Sequence, residues 1–441
     1  MKKVITYGTF DLFHIGHQKI LERAKAQGDF LVVGVTGDHY DLDRGKLNVE
    51  ESLEERIENV RKTGLADRII VENYEGQKIS DIQKYDIDIF VIGSDWLGRF
   101  DYLNDYCTVQ YLERTKGISS SQIREENKII KIGMVGAGRI ANRFVPESKF
   151  VSGVHISGIY SLGGAKEFAD KHEIGFYTED YKELIERVDA VYIATPHGSH
   201  YSLAKQALLA GKHVLCEKPM TLKSCETIEL FEIATQNKLI LIEAIKTAFA
   251  PGFIRLIEVA KSGIIGSIKD VSATFTKIEK GDKRELNPNS DGGSLYELGT
   301  YPLIGILKLL GEPDDVNFFS YMNEGIDAYT KVILSYKQAI ATAQTGLGVK
   351  SEGNMIIAGT EGYIYVPAPW WKTEEFEVRF EDMSQNKKFF YKFYGDGLRY
   401  EIAEFVKQIK FPDQPSWKLT SEDSILLSKI LEKFKVTNLR K

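Results

Sequence analysis

Apolar runs alternate with amphipathic stretches along the first part of the chain. The stretch at 18–25 carries its apolar side chains at helical spacing, and the stretch at 52–62 is a charged helix by its pattern. Between and after these stretches, apolar β-prone runs occupy residues 4–6, 31–35, 68–71 and 87–92. Strands that alternate with helices predict a doubly wound α/β domain, which binds ligands at the carboxyl ends of its strands.

A second alternation of the same kind begins after residue 128. Apolar runs at 129–135 and 156–160 indicate two more strands of this type, and from residue 266 the pattern changes to successive strands. The predicted late strands cover residues 272–278, 316–321, 331–336, 339–346, 353–359 and 362–366. We therefore predict three domains, at residues 1–128, 129–250 and 251–441.

Length, charge and cysteine content limit the possible functions. The 441 residues suit two or three domains, and a formal net charge of -6 argues against binding to nucleic acid or to an anionic membrane. No apolar run approaches the ~20 residues of a membrane span, and no secretory segment precedes the first strand. Because Cys107, Cys216 and Cys225 lack the spacing of metal ligands, we expect reduced thiols, a cytoplasmic location and no protein-bound metal.

The most distinctive stretch runs from Tyr7 to His17. Gly8 to Phe13 joins the first strand to the first helix, which places His14 and His17 in the first helical turn, on one face. Unpaired backbone N–H groups and the helix dipole attract phosphate at that position. Gly16 leaves the space between the two imidazoles open. Two surface histidines without a function would be the alternative, but the glycine turn and the helix start favour a phosphate site.

Gly8-Thr9-Phe10-Asp11 followed by His14-x-Gly16-His17 resembles the nucleotidyltransferases of the glycerol-3-phosphate cytidylyltransferase family, and the resemblance extends from Met1 to about Glu126. It implies transfer of a cytidylyl group from CTP, with Mg²⁺, to a polyol phosphate; adenylyl transfer stays open. By the same resemblance, the catalytic groups are His14, His17, Lys46 and Arg114, and the nucleotide contacts are Gly8, Thr9, Phe10, Asp11, Gly16, Asp95, Trp96, Thr115 and Ser119.

Three charged residues near this motif have a second interpretation. Lys46 and Arg44 lie on a loop that could close over phosphates, and Asp11 could orient Thr9 or approach a metal. Without the family resemblance, Lys46, Arg44 and Arg56 would be interpreted as solvated surface charges.

The acceptor is less well defined than the donor. The family enzyme that makes CDP-glycerol has an arginine about eight residues after the position matching Arg56, and here that place is Gly64. Arg61 and Arg68 are nearby. If the family's arginine grips the acceptor phosphate, the acceptor of this chain differs from glycerol 3-phosphate.

A dinucleotide-binding turn follows the strand at 129–135. Gly136, Gly138, Arg139, Ile140 and Ala141 form the pattern Gly-x-Gly-x-x-Ala between a strand and a helix, and a second strand follows at the expected distance. That second strand is followed by Ser161, with neither the acidic residue typical of NAD sites nor an arginine. NAD and NADP both stay open as the cofactor.

Further motifs, at Thr195-Pro196-His197, Glu217-Lys218-Pro219 and 292–302, resemble the glucose-fructose oxidoreductase and inositol dehydrogenase superfamily. The resemblance implies an NAD(P)-binding Rossmann domain, then an α+β domain with an open, mostly antiparallel sheet and a final helix that returns to the Rossmann domain. It also implies a homodimer.

The same resemblance assigns roles to the residues of the second half. It implies cofactor contacts at Gly136, Gly138, Arg139, Ile140, Ser161, Thr195, Pro196, His197, His200, Glu217 and Lys218, and catalytic roles for Lys218, Tyr301 and Glu297. A lysine beside the nicotinamide can polarise a carbonyl oxygen, and Tyr301 would be a second proton donor. Glu297 stands where many relatives carry aspartate. The alternatives are that Lys218 contacts only the cofactor ribose, that Tyr301 packs, and that His200 is structural.

Two catalytic halves joined without a flexible tether suggest consecutive reactions. We expect the second half to reduce a carbonyl precursor with NAD(P)H and the first half to couple the resulting polyol phosphate to CTP. The product would be CDP-glycerol or a close relative, which would supply a teichoic-acid-like polymer or capsule biosynthesis. Two alternatives stay open: an oxidoreductase half that acts on an unrelated sugar, and a second half that serves only dimerisation or ligand sensing.

Overall fold

The computed structural model describes residues 1–113, 129–281 and 283–438, and the chain forms two compact units. The first unit holds residues 1–131, 148–158 and 166–177, and the second holds residues 132–147, 159–165 and 178–441. Among the described residues, no helix combines the length and the apolar character needed to cross a membrane.

A five-stranded parallel sheet forms the centre of the first unit. Its strands are β1 (Lys3–Gly8), β2 (Phe30–Thr36), β3 (Arg68–Glu72), β4 (Ile89–Gly93) and β5 (Thr108–Leu112), in the order β3-β2-β1-β4-β5. The helices are α1 (Ile15–Lys25), α2 (Asp38–Asp43), α3 (Leu53–Lys62) and α4 (Gln77–Tyr85). The order changes direction at β1, so the carboxyl ends of β1 and β4 border the crevice where such folds bind ligands.

Both faces of this sheet are buried, which explains why its strands are apolar throughout. Side chains alternate between the faces, so Val4 and Val33 enter one core while Ile5 and Val32 enter the other. These four side chains are fully buried. Each contributes about 1.5–3 kcal/mol relative to an exposed position, and the two cores together hold the strand ends of the crevice rigid.

A six-stranded sheet follows along the chain. Its strands are β6 (Ile130–Val135), β7 (Val154–Tyr160), β8 (Tyr177–Thr178), β9 (Ala190–Ile193), β10 (His213–Glu217) and β11 (Leu241–Ala244), in the order β11-β10-β9-β6-β7-β8. The helices are α5 (Ala141–Ser148), α6 (Ala165–His172), α7 (Tyr181–Arg187), α8 (His200–Leu209) and α9 (Ser224–Gln236). The pairings of β6 with β9, β9 with β10 and β10 with β11 are parallel, as the doubly wound prediction requires.

The third sheet is open and mixed. Its strands are β12 (Ile268–Thr276), β13 (Asp315–Asn323), β14 (Ile326–Tyr336), β15 (Ala339–Gly346), β16 (Met355–Gly359), β17 (Tyr363–Val366), β18 (Glu375–Arg379) and β19 (Lys387–Phe390), in the order β13-β14-β15-β12-β16-β17-β18-β19. Only β12 and β15 pair in parallel among these strands, which are all described residues. The mostly antiparallel sheet is confirmed, although β18 and β19 were not predicted because they are short and rich in charge.

Six helices follow β11 among the described residues. They are α10 (Lys246–Phe249), α11 (Pro251–Lys261), α12 (Ser294–Leu298), α13 (Thr300–Leu310), α14 (Leu398–Lys410) and α15 (Ser421–Asn438). Helices α12 and α13 pack on the third sheet, and α15 packs against α9. At that contact, Ser224 donates hydrogen bonds to Glu432 from its backbone N–H at 3.1 Å and from its hydroxyl at 2.7 Å.

Candidate active sites

His14 and His17 lie together at the start of α1. Their rings stack with centroids 4.0 Å apart. The Nδ1 atom of His14 accepts the N–H of Gly16 at 3.0 Å, and the Nδ1 atom of His17 accepts the N–H of His14 at 3.4 Å. These reciprocal bonds form a capping box in which imidazoles replace the usual hydroxyl and carboxylate groups. The same bonds therefore start the helix and fix both rings.

The two histidines are electrically neutral donors at pH 7. Desolvation lowers the pKa of His14 to about 4, and desolvation, His14 and the ammonium of Lys46 lower the pKa of His17 well below its usual value. Because each Nδ1 atom accepts a backbone N–H, each neutral ring carries its proton on Nε2. Both rings thus offer an Nε2–H group to a ligand. The positive charge of Lys46 acts on His17, while its ammonium donates to the backbone carbonyl of Lys149 at 2.9 Å.

The loop before α1 is sterically tight. A Cβ atom on Gly16 would lie 2.7 Å from Cε1 of His14, so only glycine leaves this ring in its place. Phe10 and Leu12 adopt positive φ angles of 55° and 48°, which non-glycine residues rarely do. Such backbone conformations persist where surrounding structure enforces them, commonly at functional sites. Here the buried Phe10 side chain belongs to the core below the sheet edge.

Arg56 is a structural brace of this site and is fully buried, so its interpretation as a solvated charge is wrong. Its guanidinium donates to the backbone carbonyls of Thr9 and Thr36, both at 2.8 Å, and pairs with Asp41 at 3.4 Å. The hydroxyl of Thr9 donates to Asp41 at 2.9 Å and accepts from Arg44 at 2.7 Å. Asp41 and Arg44 therefore orient Thr9, a role the sequence suggested for Asp11.

Asp11 instead holds the segment before α3. Its Oδ1 atom accepts the backbone N–H groups of Glu50 and Glu51 at 3.1 and 2.9 Å, while Oδ2 is buried without a hydrogen bond. Trp96 lies in the turn after β4, half-buried, with the Arg99 guanidinium 5.2 Å from its ring.

Other predicted nucleotide contacts are placed only in part. Asp95 shares the turn of Trp96, and Gly8 ends β1. Arg114, Thr115 and Ser119 lie outside the described residues. Within the described residues, no three His, Cys, Asp or Glu side chains cluster as metal ligands.

In the second half, the glycine turn follows β6. Gly136 has a φ of 103°, and a Cβ atom there would lie 2.9 Å from the carbonyl oxygen of Ala194, which follows β9. The N–H of Gly136 donates to Tyr160 at the end of β7 at 2.8 Å. Gly138 and Ile140 continue the turn, and their carbonyls accept the first backbone hydrogen bonds of α5. The turn is thus shaped for the close approach of a dinucleotide pyrophosphate.

Two neighbours of this turn have specific partners. Arg139 pairs with Glu285 at 2.9 Å, and Glu285 is buried. The hydroxyl of Ser161 donates to the carbonyl of Gly163 at 2.7 Å, in the loop after β7 where a ribose-binding carboxylate would stand. Neither contact selects between NAD and NADP.

The segment after β9 is fixed by His200, which is fully buried. Its Nε2 atom lies 2.8 Å from the carbonyl oxygen of Thr195, and its Nδ1 atom lies 2.9 Å from that of Pro219. Burial lowers the pKa of His200 while these carbonyls oppose the shift. Pro196 precedes the short turn that carries His197. His200 therefore holds the predicted cofactor-lining segment to the segment after Lys218.

Lys218, at the end of β10, sits among the predicted catalytic residues. Its Nζ atom donates to the backbone carbonyl of Glu297 at 2.8 Å and lies 5.6 Å from the ring centroid of Tyr301. The carboxylate of Glu217 accepts the Tyr192 hydroxyl at 2.6 Å and the N–H of Lys218 at 3.2 Å. The structure thus brings Lys218 close to Glu297 and Tyr301.

Buried acids surround Tyr301. Desolvation, with Glu217 and Glu401, raises the pKa of Tyr301, so its hydroxyl stays protonated at neutral pH. Glu401 on α14 is fully buried, and neither carboxylate oxygen has a hydrogen bond. Burial and Glu217 raise its pKa well above the usual value. Burial also raises the pKa of Glu243 to about 7. Sequence reasoning missed Glu401, which looks like an ordinary helical glutamate.

A second unpredicted residue, Arg284, faces Glu297. Its Nη2 atom lies 2.7 Å from Oε1 of Glu297, and the Nε2 atom of His197 lies 3.7 Å from the same oxygen. Burial, Lys218 and Arg284 lower the pKa of His197 to about 2, so the ring is neutral. The only sequence signal for Arg284 was its position shortly before Gly292-Gly293.

The described residues thus form two separate constellations. One is a pair of stacked, neutral imidazoles at a helix start, an arrangement that suits the binding of phosphate. The other combines a glycine turn for a dinucleotide with a lysine and a protonated tyrosine. The chain is therefore, by class, a nucleotidyltransferase fused to a nicotinamide-dependent oxidoreductase.

Comparison with known families agrees with both classes. Residues 5–126 match the family described as cytidylyltransferase-like, and residues 130–244 match the oxidoreductase family with an NAD-binding Rossmann fold. Residues 253–365 match the GFO/IDH/MocA C-terminal domain. The chain is 55% identical over 126 residues to the glycerol-3-phosphate cytidylyltransferase of Bacillus spizizenii, which covers 29% of this chain and 97% of that protein.

The second half has relatives of its own. It is 30% identical over 315 residues to the NADP-dependent scyllo-inositol 2-dehydrogenase of Bacillus subtilis, covering 69% of this chain and 95% of the relative. Its fold matches a 3-ketoreductase from Actinomadura kijaniata solved with NADP and TDP-benzene, with a TM-score of 0.62, 24% identity, and coverage of 70% and 97% of the two chains. The chain belongs to the cytidylyltransferase family in its first part and to the Gfo/Idh/MocA oxidoreductase family in its second.

Proposed function

We propose that the chain catalyses two consecutive reactions: reduction of a carbonyl phosphate to a polyol phosphate, and coupling of that polyol phosphate to CTP. The observation that carries this proposal is the presence, in one chain, of the neutral imidazole pair and of the Lys218–Tyr301 pair, each with its own binding turn. The site with the imidazole pair would consume a phosphate ester, and the site with Lys218 and Tyr301 can produce an alcohol.

In the transferase half, an oxygen of the acceptor phosphate attacks the α-phosphorus of CTP. The bond from that phosphorus to the bridging oxygen breaks, and pyrophosphate leaves. The Nε2–H groups of His14 and His17 stabilise the negative charge that develops on the α-phosphate and the bridging oxygen, and Lys46 adds a positive charge beside them. The imidazoles donate hydrogen bonds and transfer no proton, so their low pKa does not prevent this role. Mg²⁺ arrives with the triphosphate as part of the substrate.

In the reductase half, the turn at Gly136 would hold NAD(P)H, which would supply the hydride that reduces the carbonyl carbon. This turn has the tight backbone path of a dinucleotide-binding turn, since a Cβ atom on Gly136 would lie 2.9 Å from the Ala194 carbonyl oxygen. Lys218 is held by the Glu297 carbonyl through one N–H, so two further N–H groups can polarise the carbonyl oxygen. The proton for the new alkoxide comes from Lys218 or from the hydroxyl of Tyr301, which its surroundings keep protonated.

The polyol is glycerol or a close relative, and the product CDP-polyol would supply a teichoic-acid-like polymer or a capsule. The cytidylyltransferase of Bacillus spizizenii named above supports glycerol 3-phosphate, whereas Gly64 favours a different acceptor. We also propose that two copies of the chain form a homodimer through the open sheet.

The experiment is pyrophosphate release from CTP by the full-length protein. Glycerol, erythritol and ribitol phosphates are presented first, followed by the matching keto- or aldo-phosphates with NADH or NADPH. We expect release from a carbonyl phosphate only when reduced cofactor is present. If a polyol phosphate supports pyrophosphate release but no carbonyl phosphate with reduced cofactor does, the consecutive scheme is contradicted. Only the transferase activity would then be supported.

A further inference from the structure

The environment of Glu297 holds two buried donor or acceptor nitrogens without a hydrogen bond. They are Nδ1 of His197 and Nη1 of Arg284, whereas Oε1 of Glu297 is paired with Nη2 of Arg284 at 2.7 Å. The side chain of His197 is only 6% exposed. Buried polar atoms in native proteins nearly always have partners, so two in one place indicate a ligand that supplies them. The carbonyl that anchors Lys218 belongs to the same Glu297, which puts this place at the reductase centre.

The position of Arg284 is built into the chain. It begins a short 3-10 turn whose next residue, Glu285, is buried and pairs with Arg139. A Cβ atom on Gly292 would lie 2.7–3.0 Å from the carbonyl oxygens of Asn287, Glu285 and Arg284, so the segment wraps closely around this glycine. The close packing of this segment fixes the backbone of Arg284, and Glu297 pairs with its guanidinium. The guanidinium is therefore not a free surface charge.

The charges at this centre favour an anion. Lys218 and Arg284 are cations, and Glu297 balances one of them. His197 is neutral, and burial raises the pKa of the nearby Glu217. A guanidinium with one edge on a carboxylate has another edge left for a second oxyanion, which suits the geometry of phosphate.

We propose that Arg284 binds the phosphate group of the reductase substrate and so determines its specificity for phosphorylated carbonyl compounds. This inference rests on the proposed function, because it names the residue that recognises the group which the transferase half later consumes. Arg284 is a binding residue in this account, and Lys218 and Tyr301 keep their roles in proton transfer.

The test compares Arg284→Gln with Lys283→Gln, which removes a neighbouring positive charge that is paired with Glu279 and largely exposed. Dihydroxyacetone phosphate and ribulose 5-phosphate are assayed beside dihydroxyacetone and ribulose, with NADPH and NADH. Arg284→Gln should lower kcat/KM for the phosphorylated compounds about 10- to 100-fold, mainly by raising KM. For dihydroxyacetone and ribulose, kcat/KM should change less than about twofold. Lys283→Gln should change neither, and Arg284→Lys should restore part of the loss.

Fluorescence titration with NADPH and the CTP-dependent activity establish that each variant is folded. An equal loss for both kinds of substrate would overturn the inference and assign Arg284 a structural role through Glu297. An unchanged kcat/KM for the phosphorylated compounds would overturn it as well.

Failure of the proposed function gives a different result. If the wild-type protein reduces no phosphorylated carbonyl compound, inorganic phosphate serves as the probe, and the melting temperature of the protein saturated with NADPH and with CTP, which fills the transferase site, is measured with and without it. A phosphate-dependent increase in the wild type that Arg284→Gln lacks would sustain an anion site at Arg284 although the substrate differs. The same increase in both proteins would overturn the inference too.

Discussion

Gly16→Ala should separate activity from stability in the transferase half. The added Cβ atom would lie 2.7 Å from Cε1 and 2.9 Å from Nδ1 of His14, about 0.7 Å inside the ordinary van der Waals distance of 3.4 Å. Gly16 belongs to the first turn of α1, so we expect the imidazole rather than the helical backbone to move. Movement of that ring breaks the 3.0 Å bond from the Gly16 N–H and withdraws one of the two Nε2–H donors.

The two consequences differ in size. Loss of the cap costs about 1 kcal/mol, and replacing glycine by alanine at a helical position returns about 0.5–1 kcal/mol, so the free energy of unfolding should change by less than about 1 kcal/mol. A catalytic group displaced by about 1 Å can reduce the rate about 10²-fold. We therefore expect a melting temperature close to that of the wild type and a CTP-dependent pyrophosphate release about 100-fold slower.

The carbonyl reductase activity of the same molecule is the internal control. Gly175→Ala is the matched variant, because Gly175 is exposed and a Cβ atom there meets nothing within 4 Å. Full transferase activity in Gly16→Ala would refute the argument that His14 must keep this orientation. Loss of both activities would show that the substitution acts through folding.

Three further predictions concern the two sites. His17→Ala should abolish pyrophosphate release and spare carbonyl reduction, and Lys218→Ala should do the reverse; loss of both activities in either variant would contradict independent sites. His14 has its ordinary pKa of 6.5 in the unfolded chain and a pKa of about 4 in the folded chain. The unfolded chain therefore binds a proton at a higher pH, and the free energy of unfolding should decrease as the pH falls from 6.5 to 4. His14→Gln should reduce that slope by about 1.4 kcal/mol per pH unit in denaturant titrations, and an unchanged slope would refute the shift. Gly136→Ala places a Cβ atom 2.9 Å from the Ala194 carbonyl, so NADPH affinity should fall at least tenfold by fluorescence titration while CTP turnover persists; unchanged affinity would contradict the close approach.

Local patterns in the sequence predicted the fold and the two binding turns. The glycines at 8, 16 and 136 could be recognised in the sequence, because a Cβ atom at each would lie 3.1 Å or less from a neighbouring side chain or backbone atom. Apolar strands separated by helices similarly leave few topologies open, and the parallel sheets agree with that expectation.

Residues whose role depends on distant partners were not predictable. Arg56 looks like a solvated charge on a helix, yet its partners Thr9, Thr36 and Asp41 come from three other segments. The role of Arg284 depends on Glu297 and His197, which are distant from it in the sequence and come together only in the folded chain. The sequence does not show whether a charged residue on a helix or loop is buried, because its burial depends on partners that only the tertiary structure provides.

The anchor of Lys218 is a backbone carbonyl, and this has a consequence for how the enzyme can diverge. Every amino acid at position 297 would present the same carbonyl oxygen, 2.8 Å from the Lys218 ammonium. Substitution of the side chain at 297 would therefore leave the anchor of Lys218 in place and act instead on the ion-pair partner Arg284. A mutational library at this single position would change the surroundings of Arg284 without removing the hydrogen bond that holds the lysine.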